Sequence, residues 1–233
     1  MRRIREAQTA RASRSSAAPF ARHLVIMAKE PVAGRVKSRL ARDIGIVEAT
    51  RFYRQTLRAV VQRLGADPRW QTVLAVAPDR AVVSRALPGR SARIGQGQGD
   101  LGARMDRLMR RSERGPVVIV GTDIPAIRPA DIWAAFRRLA GADAVVGPVP
   151  DGGYWLVGLK RTPRVPRAFD RVRWSSPHAL ADTCECLRHH HVVRTQTLAD
   201  VDGEAEFADV KSWFGRRVLP AEFRHGPGAR RRD

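Results

Sequence analysis

The stretch Pro116–Pro125, P-V-V-I-V-G-T-D-I-P, decides the fold. Four consecutive apolar residues, closed by Gly121 and then by an acid beside a proline, predict a fully buried parallel strand that ends in a polar turn. In an open α/β sheet ligands bind outside the carboxyl ends of the strands, so this reading sets Asp123 at the rim of a crevice, a useful place for a metal-binding carboxylate. A turn that Asp123 caps, shaped by Thr122 and Pro125, uses the same residues.

Upstream, H-L-V-I-M-A at residues 23–28 predicts the first strand. It opens into K-E-P-V-A-G-R-V-K-S-R-L, where Pro31 and Gly34 break regular structure and Lys29, Arg35, Lys37 and Arg39 supply cations. From Leu40 to Leu64 the apolar residues Leu40, Ile44, Val47, Phe52, Leu57, Val60, Val61 and Leu64 recur at helical spacing. A strand, a basic loop holding Gly34 and a helix together make an anion site, because backbone N–H groups and the helix dipole face the ligand. Lys37-Ser38 matches the end of a Walker A loop, but Val36 stands where that motif needs glycine and the upstream glycine spacing is wrong. Lys37 and Arg39 can instead grip phosphate by charge and bidentate hydrogen bonds. A solvated basic loop is the plainer alternative.

Residues 70–77 predict a second strand, and 81–87 a short helix. The following G-Q-G-Q-G-D-L-G contains G-x-G-x-x-G at Gly97, Gly99 and Gly102. A dinucleotide fingerprint belongs after the first strand of its domain, and residues 91–94 are short and weakly apolar, so we read Gly99 and Asp100 as a nucleotide-contacting or hinge loop before a helix at 101–112. Beyond Pro125, Pro129 starts a helix through Leu139, and residues 142–146 form a strand delivering G-P-V-P-D-G-G-Y. Asp151, Gly152 and Gly153 let a backbone approach a ligand closely, with Tyr154 available to stack or hydrogen-bond; a hairpin turn with a core tyrosine fits equally. Ser176 and Pro177 read as N-cap and first residue of a helix whose Cys184 and Cys186 point to different faces. A late strand at 192–198 ends in A-D-V-D-G-E, where Asp200 or Asp202 could join Asp123 on one divalent ion. A helix from Glu204 to Phe214 closes the fold.

At 233 residues the chain can bury a large single core without disulfides, and its two cysteines fit a reducing compartment such as the cytoplasm. No apolar run approaches the ~20 residues of a membrane span. The net charge of +20 raises the question of nucleic acid, but its distribution argues against it. Residues 1–22 and 215–233 together hold twelve Arg against three acids, and both ends have the composition of disordered tails flanking a domain at 23–214. Only four of the 43 basic residues are Lys, a bias toward Arg rather than a binding stripe.

Taken in order, A-K-E-P-V-A-G-R-V-K-S-R-L, Q-G-D-L-G-A-R-M, V-G-T-D-I-P, G-P-V-P-D-G-G-Y-W-L-V-G-L and D-V-D resemble a bacterial family of nucleotide-diphospho-sugar transferases, the rSAM/selenodomain-associated transferases, related to glycosyltransferases of the GT-A fold. The correspondence runs from Leu24 to Val210, and the basic loop is also similar to that of guanylyltransferases acting on phospholactate and molybdenum cofactor. The resemblance implies a Rossmann-like α/β/α sandwich with a mostly parallel sheet, a nucleotide at its carboxyl edge, and Mg²⁺ or Mn²⁺. It assigns phosphate binding to Lys37 and Arg39, metal binding to Asp123 and Asp202, and a face toward the second substrate to Asp151, Gly152, Gly153 and Tyr154. Ser38 stands where the family has Thr, and Gly203-Glu204 replaces the customary Thr-Pro, so Asp200 is the fallback ligand.

Two reactions fit: glycosyl transfer from a nucleotide sugar, and nucleotidyl transfer from a nucleoside triphosphate with release of pyrophosphate. A divalent ion held by Asp123, with Lys37 and Arg39 completing the clamp, would stabilise charge on the leaving group, and Asp151 would orient or deprotonate an acceptor hydroxyl. A basic nucleic-acid-binding protein or a non-catalytic nucleotide binder is the rival.

Overall fold

The computed structural model describes residues 21–89, 91–201, 203, 207, 208 and 210. Its centre is a seven-stranded sheet made of β1 (His23–Lys29), β2 (Gln71–Ala77), β3 (Ala92–Gly95), β4 (Val117–Val120), β5 (Ala144–Pro148), β6 (Tyr154–Leu159) and β7 (Val192–Arg194). The order across the sheet is β3-β2-β1-β4-β6-β5-β7. The deciding strand, β4, is therefore the middle one, and all four of its residues are buried. It pairs in parallel with β1, His23 opposite Val117 and Ile26 opposite Val120. Among the described strands β6 alone runs against its neighbours, with Val120 opposite Leu156 on one side and Val146 opposite Val157 on the other.

Alternation along the strands explains the layers, because successive side chains leave a sheet on opposite faces. Leu24, Ile26, Val118 and Val120 pack with Leu57, Val60 and Leu64 of one helix, α2 (Ile46–Gly65), and with Ile132 and Phe136 of α4 (Pro129–Arg138). Val25, Val117, Ile119 and Val157 pack on the other face with Met105, Leu108 and Met109 of α3 (Leu101–Arg111) and against Leu180 and Cys184 of α5 (Ala179–Cys186). The result is the expected α/β/α sandwich.

Several local expectations change. The helix anticipated from Leu40 to Leu64 is two, α1 (Leu40–Ile44) and α2, because Gly45 at φ +86° breaks the ladder. The break resets the helical phase and leaves Val47 76% exposed, not in the core. Residues 79–83 form a 3-10 turn rather than an α-helix at 81–87. Residues 92–94 of the weakly apolar segment belong to β3, an edge strand, where one covered side suffices. Helix α5 begins at Ala179; Ser176 instead accepts the His178 amide at 3.2 Å and donates to the Arg173 carbonyl at 2.6 Å, a local turn.

β7 is short, but the chain continues beside β5, with Thr195 N donating to Val146 O at 2.9 Å and Leu198 N to Pro148 O at 3.2 Å. Val201 is then buried with Leu40, Ala49, Phe52 and Val210. Of the closing helix expected at 204–214, Phe207, Ala208 and Val210 are helical, and the Phe207 ring meets Phe52 edge-on at 5.3 Å. The tails expected at 1–22 and 215–233 lie outside the described residues except for Ala21 and Arg22. No helix among the described residues is long and apolar enough to cross a membrane.

Candidate functional site

Parallel pairing brings the carboxyl ends of β1, β2, β3, β4, β5 and β7 to one rim. The basic loop leaves β1 there, Asp123 follows β4, the turn at 149–153 joins β5 to β6, and Val201 arrives beyond β7. The order reverses between β1 and β4, since the chain moves from β1 outward to β2 and β3 before β4 lands on its other side. Such a switch point opens a crevice between two strand ends.

Lys37 spans that crevice. Its ammonium lies 2.9 Å from Asp123 Oδ1 and donates to the Val201 carbonyl, also at 2.9 Å. The Lys37 side chain is 5% exposed and the Asp123 side chain 55% exposed, so a buried cation stem presents its charge to a carboxylate facing solvent. Lys37 has φ +48°, a left-handed conformation uncommon for a residue with a Cβ, while its carbonyl accepts the Ala41 amide at 2.8 Å and starts α1. Asp123 and Lys37, singled out in sequence 86 positions apart, are thus in direct contact.

Neighbouring groups fix this pair. Tyr53 of α2 has its hydroxyl against the Lys29 backbone and accepts from Thr122 Oγ1 at 3.4 Å, tying the ends of β1 and β4. Burial pushes the Tyr53 phenol up to about 12. Arg63 Nη1 donates to the carbonyls of Pro125 and Ile127, both at 2.7 Å, and pins the segment that follows Asp123. Desolvation lowers the Arg63 pKa, against the pull of Asp131. Neither residue was singled out in sequence. Tyr53 sits at i−4 and i−7 from Leu57 and Val60 on a core-facing stripe, and a phenol there signals a buried hydroxyl in need of partners.

The other residues of the basic loop are more open. Lys29, Gly34, Arg35, Ser38 and Arg39 are exposed, and Gly34 has φ +75° with open space where a side chain would begin. The glycine loop is held from behind. Gln96, buried, donates through Nε2 to Ala28 O at 3.1 Å and Ala75 O at 2.9 Å. Arg107 grips the Gln96 and Gln98 carbonyls and Arg104 the Gly99 carbonyl. Asp100 caps α3 by accepting the Ala103 amide at 2.8 Å, so its carboxylate already has a structural partner.

The turn at 149–153 differs from its sequence reading. A Cβ on Gly152, which has φ +85°, would lie 2.1 Å from the Pro177 carbonyl oxygen, and the Gly152 carbonyl accepts the Leu180 amide at 3.0 Å. The close approach that glycine permits is made by the protein's own chain leading into α5. Asp151 Oδ1 accepts the Gly153 amide at 2.9 Å, leaving this exposed carboxylate at the rim. Tyr154 turns away from it: Thr183 donates to its hydroxyl at 3.3 Å, and its ring packs edge-on to Trp174 at 6.4 Å. Burial raises its phenol pKa. A core tyrosine is the better description than a ligand contact.

The second metal ligand expected, Asp202, lies outside the described residues; Asp200, half-buried, precedes Val201 beside Lys37. Among the described residues no group of three or more His, Cys, Asp or Glu side chains gathers to hold a metal. The oxygens about Lys37 Nζ, a carboxylate and a backbone carbonyl, are nevertheless the hard donors that Mg²⁺ or Mn²⁺ takes.

Sheet order and the helices on both faces define a Rossmann-like α/β/α fold, one shared with a structure described as a nucleotide-diphospho-sugar transferase. Within that class the chain belongs to the DUF2064 family, "uncharacterized protein conserved in bacteria", whose profile matches residues 60–176. No curated protein matches it. Among solved structures it is similar to a "putative nucleotide-diphospho-sugar transferase" from Desulfovibrio desulfuricans G20, at 23% identity and a TM-score of 0.73 over 86% of this chain and 100% of that one. A CMP:2-keto-3-deoxy-manno-octonic acid synthetase complexed with CTP is similar at 14% identity and a TM-score of 0.53, over 85% of this chain and 100% of that one. Rv0371c from Mycobacterium tuberculosis H37Rv, complexed with manganese, is similar at 18% identity and a TM-score of 0.50, over 83% and 98%. At these identities the likeness is one of fold.

Proposed function

We propose that this chain is a metal-dependent transferase acting on a nucleotide-activated substrate, of the nucleotide-diphospho-sugar transferase type. The observation that carries the reading is the meeting of Lys37, Asp123 and the Val201 carbonyl at the switch point of the sheet. Cations for phosphate and a hard oxygen acid for a divalent ion are there side by side. The manganese and CTP complexes of proteins sharing the fold support the same ligand class.

Asp123, with Asp202 or Asp200, would hold Mg²⁺ or Mn²⁺. The ion supplies Lewis-acid stabilisation of the phosphate charge that develops as the leaving group departs. Lys37, Arg39 and Lys29 bind the phosphates, the open backbone at Gly34 and Ser38 lets them approach, and the braced loop at Gly99 and Asp100 borders the nucleotide. In glycosyl transfer an acceptor oxygen bonds to the sugar's anomeric carbon, the carbon's bond to the nucleoside diphosphate breaks, and Asp151 takes the acceptor proton. The acceptor enters over the Asp151–Gly153 turn. Such chemistry draws on the nucleotide pools of the cytoplasm.

Nucleotidyl transfer is the second reading, favoured by four cations between Lys29 and Arg39, more than a diphosphate leaving group requires. There a substrate phosphate oxygen bonds to the α-phosphorus and pyrophosphate leaves. Incubation of the protein with nucleoside triphosphates and nucleotide sugars, with Mg²⁺ or Mn²⁺ and candidate acceptors, separates the two by the product released. Asp123→Ala should abolish metal-dependent nucleotide binding; retention of parental affinity in that variant would overturn the site.

A further inference from the structure

We propose that Lys37 is a tethered competitor of the divalent ion, holding the cation position at Asp123 until a nucleotide's phosphates draw it off. The inference rests on the reading of the site given above and adds how that site is regulated. Three observations carry it. The ammonium contacts two oxygens of the kind a hard divalent ion takes, Asp123 Oδ1 and Val201 O, each at 2.9 Å. Its side chain is 5% exposed, so the charge is placed by burial of its stem rather than by drift in solvent. Its backbone sits at φ +48°, a conformation that for a non-glycine residue persists where surrounding contacts enforce it.

An ammonium and a divalent ion cannot share one carboxylate oxygen at contact distance without strong repulsion. Metal entering the free protein must therefore displace Lys37, which costs the ammonium its contacts with Asp123 Oδ1 and Val201 O. Phosphate oxygens give it new partners, so nucleotide and metal favour each other's binding through Lys37 as well as through direct coordination. Free metal alone is a poor ligand; the metal–nucleotide complex is the species the site accepts.

The test is a Mn²⁺ titration of the full chain without nucleotide, read by electron paramagnetic resonance of the free ion and by calorimetry. Lys37→Met, which keeps the stem and removes the charge, should bind Mn²⁺ roughly tenfold or more tighter than the parent. Lys37→Gln gives the same comparison with a polar end, should the Met variant fail to fold. Arg35→Gln removes an exposed cation of the same loop that does not touch Asp123, and its affinity should change by less than about threefold, since a solvent-exposed charge is screened. Equal Mn²⁺ affinity in parent and both Lys37 variants, with Asp123→Ala reducing binding, would overturn the competitor role and leave the site reading intact. An equal gain in Arg35→Gln would also overturn it, because the effect would then be one of general charge. Absence of Mn²⁺ binding in every protein, with or without nucleotide, would overturn both.

Discussion

Tyr53 engages both backbone polar groups of Lys29: the Lys29 amide donates to the phenolic oxygen at 2.8 Å, and the hydroxyl donates to the Lys29 carbonyl at 3.0 Å. A helix residue thereby holds the last residue of β1 at the point where the basic loop departs. Tyr53→Phe leaves the amide and carbonyl without that partner and should cost about 1–3 kcal/mol of stability, measured by urea denaturation. Nucleotide affinity should weaken with it, because the loop loses its anchor.

The same phenol sets an alkaline limit. Its pKa rises from 10.0 in the unfolded chain to about 12 in the folded protein because burial disfavours the phenolate. The unfolded state therefore releases its proton first, and the stability fully present below pH 10 is lost as the pH rises toward 12. The loss from this group is on the order of 2–3 kcal/mol. Tyr154 is shifted in the same direction, so Tyr53→Phe should flatten the alkaline fall without abolishing it. An identical slope of urea midpoint against pH in parent and variant would contradict this.

Arg63→Met should loosen the Asp123 segment. It strips the donor from two carbonyls, Pro125 O and Ile127 O, and should destabilise the protein by roughly 2–4 kcal/mol while faster hydrogen exchange appears at 122–127. Exchange rates there equal to the parent's would show that the clamp is dispensable.

Gly152→Ala should be costly although the position is partly exposed. The new methyl would meet the Pro177 carbonyl at 2.1 Å on a backbone at φ +85°, so a loss of about 2 kcal/mol or more in thermal or chemical denaturation is expected. Gly34→Ala, with open space and φ +75°, should cost only the backbone strain, about 1 kcal/mol. The order of the two variants is the prediction; a reversed order would refute the packing argument.

Removal of residues 1–20 and 215–233 should leave metal-dependent nucleotide binding unchanged. Salt-sensitive association with nucleic acid, if the full chain shows any, should disappear with those Arg-rich ends. A truncated chain that still bound DNA with a steep salt dependence would revive the nucleic-acid reading.

The principal strands, and the two segments that bring Lys37 and Asp123 together, were legible because each depends on short-range pattern. V-V-I-V followed by an acid signals a buried strand with a polar end, and K-E-P-V-A-G-R-V-K-S-R-L signals a basic break before a helix. What pattern could not supply is partnership across distance. The Val201 carbonyl reaches Lys37 only because Val201 is buried against Leu40 and Phe52, a packing relation with no local signature. Arg63 reads as one basic residue among many until its two carbonyl partners are seen. Gly152 invites the reading of a ligand contact, since a glycine required for close approach does not say which group approaches. Tyr154 misled for a related reason: an aromatic ring beside a glycine turn fits a ligand or a core equally, and Thr183 and Trp174 decide for the core.

Among the described strands only β6 is reversed, and this separates the two sides of the rim along the chain. Because the chain doubles back between β5 and β6, everything that reads the second substrate under the proposed function lies on one hairpin, whereas Asp123 and Lys37 belong to loops encoded elsewhere. Under that reading, rewriting residues 149–151 would retarget the protein to a new co-substrate while the energy-rich donor is handled as before. Under the proposed function the fold is in that sense a common engine with an exchangeable attachment.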